Sequence, residues 1–197
     1  MSRPPLFLAL EPVIEVFENL SVLYYVGGSV ASSTVGTART TLDVDLVADL
    51  HAEQVPAFVI GLGDRYYANP AAILDAIARE SCFNVIHLST MFKVDIFAVK
   101  ARDYDRVAFD RRRQGRFSIG DHASDFMVAS PEDIVLNKLE WFRLGDEVSE
   151  RQWHDVLGVL RVRQGRLDED YMMQWATTLD IQDLLIRARR EARVPKA

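Results

Sequence analysis

Leu42-Asp43-Val44-Asp45-Leu46 is the stretch on which the reading of this chain turns. Hydrophobic and acidic residues alternate strictly, which is the period of a β-strand with its side chains on opposite faces. Leu42, Val44 and Leu46 share one face; Asp43 and Asp45 share the other, with Cα atoms roughly 6.6 Å apart. Two carboxylates that close repel unless a cation lies between them or one carries a proton. Carboxylate oxygens are natural magnesium ligands, and substrate phosphates often complete the shell. An isolated pair of this kind also suits the solvated face of an edge strand.

Working back from the pair, Val22-Leu23-Tyr24-Tyr25-Val26 is a strand candidate ended by Gly27-Gly28, and Ser29 to Ser33 opens a helix. Two glycines let backbone approach a ligand closely, and the N–H groups of a helix N-terminus receive phosphate. A plain strand-to-helix turn has the same composition. Working forward, Lys93-Val94-Asp95-Ile96-Phe97 repeats the alternation, with Lys93 and Asp95 on one face. If this strand lies beside the first, three carboxylates converge, which is the composition of a two-metal phosphoryl-transfer site.

The surrounding chain is an ordinary globular one. Of its 197 residues 49% are hydrophobic and 26% charged, so disordered, collagenous and coiled-coil readings fail. One cysteine, Cys82, excludes a disulfide framework and a cysteine-rich zinc site, and reads as a small buried hydrophobe. The four histidines have no metal-ligand spacing. No apolar run approaches the roughly 20 residues of a membrane span. Leu6 to Leu10 is cut by Glu11 and is too short for a signal peptide, so the expectation is a cytoplasmic protein. A net charge of −6 opposes indiscriminate nucleic-acid binding but allows a local basic groove.

The chain divides near Ser130. Residues 1–129 alternate strands and helices, as α/β proteins do; residues 130–197 read as helix throughout. In the first part, helices are expected over Glu11 to Asn19, Ala52 to Leu62 and Pro70 to Glu80. Strands are expected at Leu42 to Val47, Asn84 to Leu88, Phe92 to Phe97 and Arg116 to Ile119. In the second part Ser130 caps a helix with Pro131 at its first position, Ser149 and Gln152 form a capping-box pair, and Asp168 and Asp180 cap two more.

The acidic pair, the glycine turn thirteen residues before it and the later Val94-Asp95-Ile96 together resemble the DNA polymerase β-like nucleotidyltransferase superfamily. Gly27-Gly28-Ser29-Val30-Ala31, with Arg39-Thr40 before Asp43, looks most like its AbiEii-type bacterial branch. The resemblance implies a nucleotidyltransferase fold: a mixed sheet flanked by helices, followed by a C-terminal helical region. It implies transfer of a nucleotidyl group from an NTP to an acceptor hydroxyl on RNA, protein or a small molecule, with two magnesium ions. It implies a toxin–antitoxin or phage-defence setting with an antitoxin as partner. Asp43, Asp45 and Asp95 become the catalytic metal ligands. Gly27, Gly28, Ser29, Arg39 and Thr40 become nucleotide contacts. A catalytically silent nucleotide-binding or partner-binding module on the same fold is the alternative.

The helical part adds its own signal. Ile134, Val135, Leu139, Trp141 and Phe142 form one apolar arc, and Lys138 falls inside it. A lysine there snorkels out or finds a negative partner. Asp155 sits at the edge of the apolar arc of the next helix. By resemblance both line the nucleotide cleft; from the residues alone they suit an ion pair between packed helices equally well. Arginines crowd Arg102 to Arg116 and again Arg187 to Arg193, and Asp103, Asp105 and Asp110 interrupt the first group, so a solvated face is favoured over a phosphate-backbone groove.

Overall fold

In the computed structural model, which describes residues 3–35 and 43–193, the acidic stretch is a central strand, not an edge. Along the chain the elements are α1 (Pro5–Asn19), β1 (Tyr24–Val26), α2 (Gly28–Val35), β2 (Asp43–Ala48), α3 (Val55–Leu62), β3 (Tyr66–Tyr67), α4 (Pro70–Ala78), β4 (Cys82–His87) and β5 (Phe92–Ala98). Then come α5 (Asp103–Asp110), β6 (Arg113–Ile119), β7 (His122–Val128), α6 (Pro131–Leu144), α7 (Glu150–Val162), α8 (Glu169–Thr178) and α9 (Gln182–Arg193). The described strands form one mixed sheet in the order β3-β4-β5-β2-β1-β7-β6. β2 runs parallel to β5 and antiparallel to β1, and β1 runs parallel to β7.

Strand alternation assigns the two faces. Val44, Leu46, Val94, Ile96 and Val26 are fully buried against Phe7, Leu10, Phe17, Phe58 and Ile73 of α1, α3 and α4. Tyr25, whose neighbours Tyr24 and Val26 face that core, belongs instead to a second cluster with α5 and the C-terminal helices, around Val135, Leu139, Val156 and Leu185. Burying a side chain of this size contributes about 1.5–3 kcal/mol, so each face is a substantial core. The α/β class, with helices over a mixed sheet and a helical C-terminal region, is therefore what the chain adopts.

Several elements differ from the sequence reading. α1 begins at Pro5 and takes in the Leu6–Leu10 run, because Leu6, Phe7, Ala9 and Leu10 are buried on the sheet. That burial offsets the hydrogen bond Pro12 removes inside the helix. β7 and α5 are absent from the sequence reading. β7 follows β6 through the two-residue turn Gly120–Asp121, where Gly120 has φ +57°, as such hairpins require. Tyr66-Tyr67 forms the short edge strand β3. Asp180 caps nothing: it has φ 56° after α8, and the Ile181 carbonyl accepts the N–H of Leu185 to start α9. Ser149 does accept the N–H of Gln152, but the Gln152 Oε1 makes no return bond. Cys82 is exposed on β4 rather than buried. Among the described residues no helix is long and apolar enough to cross a membrane.

Candidate active site

Register decides which acidic residues meet. In the parallel pair β2–β5, Asp45 lies directly opposite Asp95, and Asp43 opposite Lys93. Neighbouring strands are about 4.8 Å apart, and residues in register face the same way, so the Asp45 and Asp95 carboxylates are side by side on the face away from the α1 core. The Lys93 ammonium is 2.7 Å from Asp95 Oδ2 and offsets part of the charge. The structure describes the backbone of Asp43, not its side chain; Arg39 and Thr40 lie outside the described residues.

The exposed thiol of Cys82 registers the same field. Partial burial of the sulfur pushes its pKa up to about 11, and the charges of Asp95 and Asp45 push in the same direction.

The glycine turn is built around Asp45. Gly27 N–H donates to the Asp45 carbonyl oxygen at 2.8 Å. Gly28 has φ +54°, and a Cβ there would stand 1.7 Å from Asp45 Oδ2. A side chain at Gly28 would occupy the space of the carboxylate, so the glycine is required by both backbone and packing. Ser29 follows in the first turn of α2, and Arg151 Nη2 donates to its Oγ at 3.2 Å.

Across from this corner stand α6 and α7. Lys138 is buried, with its Nζ 2.9 Å from Asp155 Oδ2. The pair and the glycine turn border one cavity of about 430 Å³, lined by Gly27, Gly28, Ser29, Asp45, Lys138 and Asp155 among others. Asp95 stands beside Asp45 without lining that cavity. Trp141 and Phe97, edge to face with centroids 6.2 Å apart, also line it. So does Tyr25, whose hydroxyl is held protonated: burial, then the charges of Asp133 and Asp105, raise its pKa far above the ordinary tyrosine range. The rim carries Arg102, which donates to both oxygens of Asp105 and of Glu140.

The sequence reading missed Arg151, Tyr25, the Arg102–Asp105–Glu140 triad and Asn137, which lines the same cavity and accepts from the Tyr104 hydroxyl. Arg151 alone had a signal: it precedes Asp155 by four residues, so the two share a helix face.

Oxygen donors from two adjacent carboxylates, with a glycine cleared from in front of one of them, suit a hard divalent cation. Among the described residues no group of three acidic, histidine or cysteine side chains stands close enough to hold one. The third member of the expected trio, Asp43, lies two residues before Asp45 at the start of β2.

No family model matches the chain, and neither does any curated protein sequence. Solved structures to which the chain is similar include the lincosamide antibiotic adenylyltransferase LnuA with lincomycin bound, at 16% identity and a TM-score of 0.46, over 78% of this chain and 95% of that one. They also include the antibiotic-resistance factor ANT(2'')-Ia in solution, at 15% identity and a TM-score of 0.46, over 93% of this chain and 91% of that one.

Proposed function

We propose that this chain is a metal-dependent nucleotidyltransferase of the polymerase β-like type, with residues 1–129 as the nucleotidyltransferase domain and residues 130–197 as a helical region closing the cleft. One observation carries the reading: Asp45 lies beside Asp95 in register, under a glycine turn that only a side-chain-free residue allows, at the wall of a cavity. The cavity volume of about 430 Å³ falls in the range of small-molecule sites.

In this reading Asp43, Asp45 and Asp95 hold magnesium. When bound, the ions neutralise the triphosphate and lower the pKa of the acceptor hydroxyl. The chain's own groups do the rest. Gly27, Gly28 and Ser29 present the start of α2 to the phosphates. Lys138 and Arg151 supply positive charge along the phosphate tail, and Arg39 and Thr40 contact the nucleotide from the segment before β2. Asp155 holds Lys138 in place. Asp95 takes the acceptor proton while the acceptor oxygen bonds to the α-phosphorus. The bond from that phosphorus to the β-phosphate oxygen breaks, and pyrophosphate leaves. The acceptor is RNA, protein or a small molecule. The biological setting proposed is the AbiEii-like one, a toxin–antitoxin or phage-defence component whose antitoxin is a further partner.

The test offers the purified protein each labelled NTP with magnesium, alongside total RNA, lysate protein and a panel of hydroxylated small molecules. Label transfer that needs Asp45 supports the reading. No transfer from any NTP to any acceptor overturns it. A second reading, a silent nucleotide-binding module, is favoured by the Lys93–Asp95 ion pair, which already occupies part of the acidic corner. Titration with a non-hydrolysable NTP separates the two: binding that needs magnesium supports the enzyme, and equally tight binding without it supports the silent module.

A further inference from the structure

Helix α6 sends its apolar residues two ways. Ile134, Val135, Leu139 and Phe142 are buried in the C-terminal core, but Trp141, from the same arc of the helix, is 50% exposed. It lines the cavity, with Lys138 one turn before it and the exposed Leu144 one turn after. Across from the helix the sheet supplies Val47 and Phe97, which are in register on β2 and β5. The Phe97 ring meets the Trp141 ring edge to face, with centroids 6.2 Å apart, and holds the indole against the sheet.

One cavity therefore has two kinds of wall. Gly28, Ser29, Asp45 and Lys138 make the polar side; Val47, Phe97, Trp141 and Leu144 make the apolar side. The two are close together. Val47 and Phe97 follow Asp45 and Asp95 by two residues, roughly 6.6 Å along the strands. Trp141 follows Lys138 by three residues, roughly 4.5 Å along the helix axis. A ligand that fills the cavity meets cations and helix N–H groups with one part and a flat indole with the part beside it. A planar ring laid on that indole takes apolar surface of both partners out of water.

We propose that Trp141 is the platform on which the nucleobase of the bound NTP stacks. This role rests on the nucleotidyltransferase reading above, and adds to it the residue that tells a nucleotide from a bare polyphosphate. Of the two reactants, the NTP is the one that always joins a polyanion to a planar aromatic ring in a single molecule, as the cavity joins the two walls. The same geometry puts the acceptor elsewhere. Asp95, which takes the acceptor proton in that reading, stands outside this cavity, on the far side of Asp45 from the glycine turn.

Calorimetric titration of the full chain in magnesium tests the platform, with inorganic tripolyphosphate and the four non-hydrolysable NTPs as probes. Wild type should bind at least one NTP more tightly than tripolyphosphate. Trp141→Ala should weaken that NTP by about 5- to 150-fold, the worth of one base stacked on an aromatic side chain, and leave tripolyphosphate affinity unchanged. Trp141→Phe should restore most of the loss, whereas Trp141→Leu, which keeps apolar bulk without a ring, should not. If Trp141→Ala does not fold, the Phe and Leu variants carry the same comparison. Unchanged NTP affinity in Trp141→Ala, an equal loss for NTP and tripolyphosphate, or equal rescue by Leu and Phe overturns the platform. Label transfer that still needs Asp45 would in that case leave the enzyme reading standing. If neither probe binds wild type, the enzyme reading and the platform fall together. A raised acceptor KM in Trp141→Ala with unchanged NTP affinity assigns the ring to the acceptor, and also overturns the platform.

Discussion

The two walls of the cavity treat charge in opposite ways. On the helical wall, Lys138 and Asp155 form a buried pair of opposite sign, with both partners close to fully covered. On the sheet wall stands Asp45, in register with Asp95 of like sign just outside the cavity, and Lys93, which reaches Asp95, is half in solvent. The first wall is balanced by its own residues and gains shape and stability from the arrangement. The second sets two carboxylates side by side in a partly buried corner, an arrangement that a cation between them stabilises.

Asp45→Ala breaks the comparison most severely. Transfer should fall by at least about a hundredfold, as it does when a principal electrostatic contact at a reacting centre is lost. Stability should fall far less than activity, because removing one carboxylate also relieves its like-charge neighbour Asp95. Initial rates and a melting curve on the same preparation check both halves; activity retained at saturating NTP would end the assignment.

Lys138→Ala should act the other way, chiefly on stability. Removing one partner of a buried pair costs about 3–5 kcal/mol, because the pair's 2.9 Å contact is lost while the other charge stays buried. Lys138→Met/Asp155→Leu should recover most of that loss, since the pair is replaced by packed apolar groups. A denaturant midpoint for each single and the double variant measures the coupling. If the double variant recovers stability but NTP affinity stays weak, Lys138 serves the nucleotide as well as the fold.

Gly28→Ala sharpens the sheet side. The positive φ and the overlap with Asp45 Oδ2 should together cost about 2 kcal/mol and displace the carboxylate. For a chain of this length that is a fall of roughly 4–8 °C in Tm, with activity dropping in parallel. An unchanged Tm would mean the turn relaxes around the methyl group.

The smallest effect concerns acid. Glu191 accepts from Trp153 Nε1 at 2.8 Å and, with Arg187 also donating, its pKa is lowered. A lowered carboxylate adds stability that is complete above its unfolded pKa and disappears as pH falls through the folded one. Glu191→Gln should therefore lower Tm slightly near neutrality and flatten the loss of Tm below about pH 4.5. A parallel acid limb in wild type and variant would remove Glu191 from the account.

How much of this could be read beforehand depends on the range over which each feature is set. The alternation around Asp43 and Asp45, the glycine turn and the caps at Ser130 and Asp168 are local. Each follows from a few adjacent residues and the geometry of a strand or a helix end, and each is legible. Lys138 was legible as a cation in an apolar arc that needed a partner, because helical periodicity is local too. The ion pair with Asp155 was one of two readings open from the residues, since a nucleotide cleft satisfies the same periodicity, and the structure sets the two side chains 2.9 Å apart. β7 and α5 went unread for different reasons: His122–Val128 alternates poorly, while the buried stripe Tyr104, Ala108 and Phe109 of α5 is helically spaced but short and set among charged residues.

The sequence by itself determined the ingredients: an acidic strand, a second acidic strand, a turn free of side chains, and an α/β part followed by helices. Tertiary structure alone decided that Asp45 stands opposite Asp95, that Gly28 is packed on the carboxylate, and that Arg151 reaches Ser29. The reason is that strand order and register are chosen by the total burial of both sheet faces. That sum runs over the whole chain and leaves no signature in any short segment.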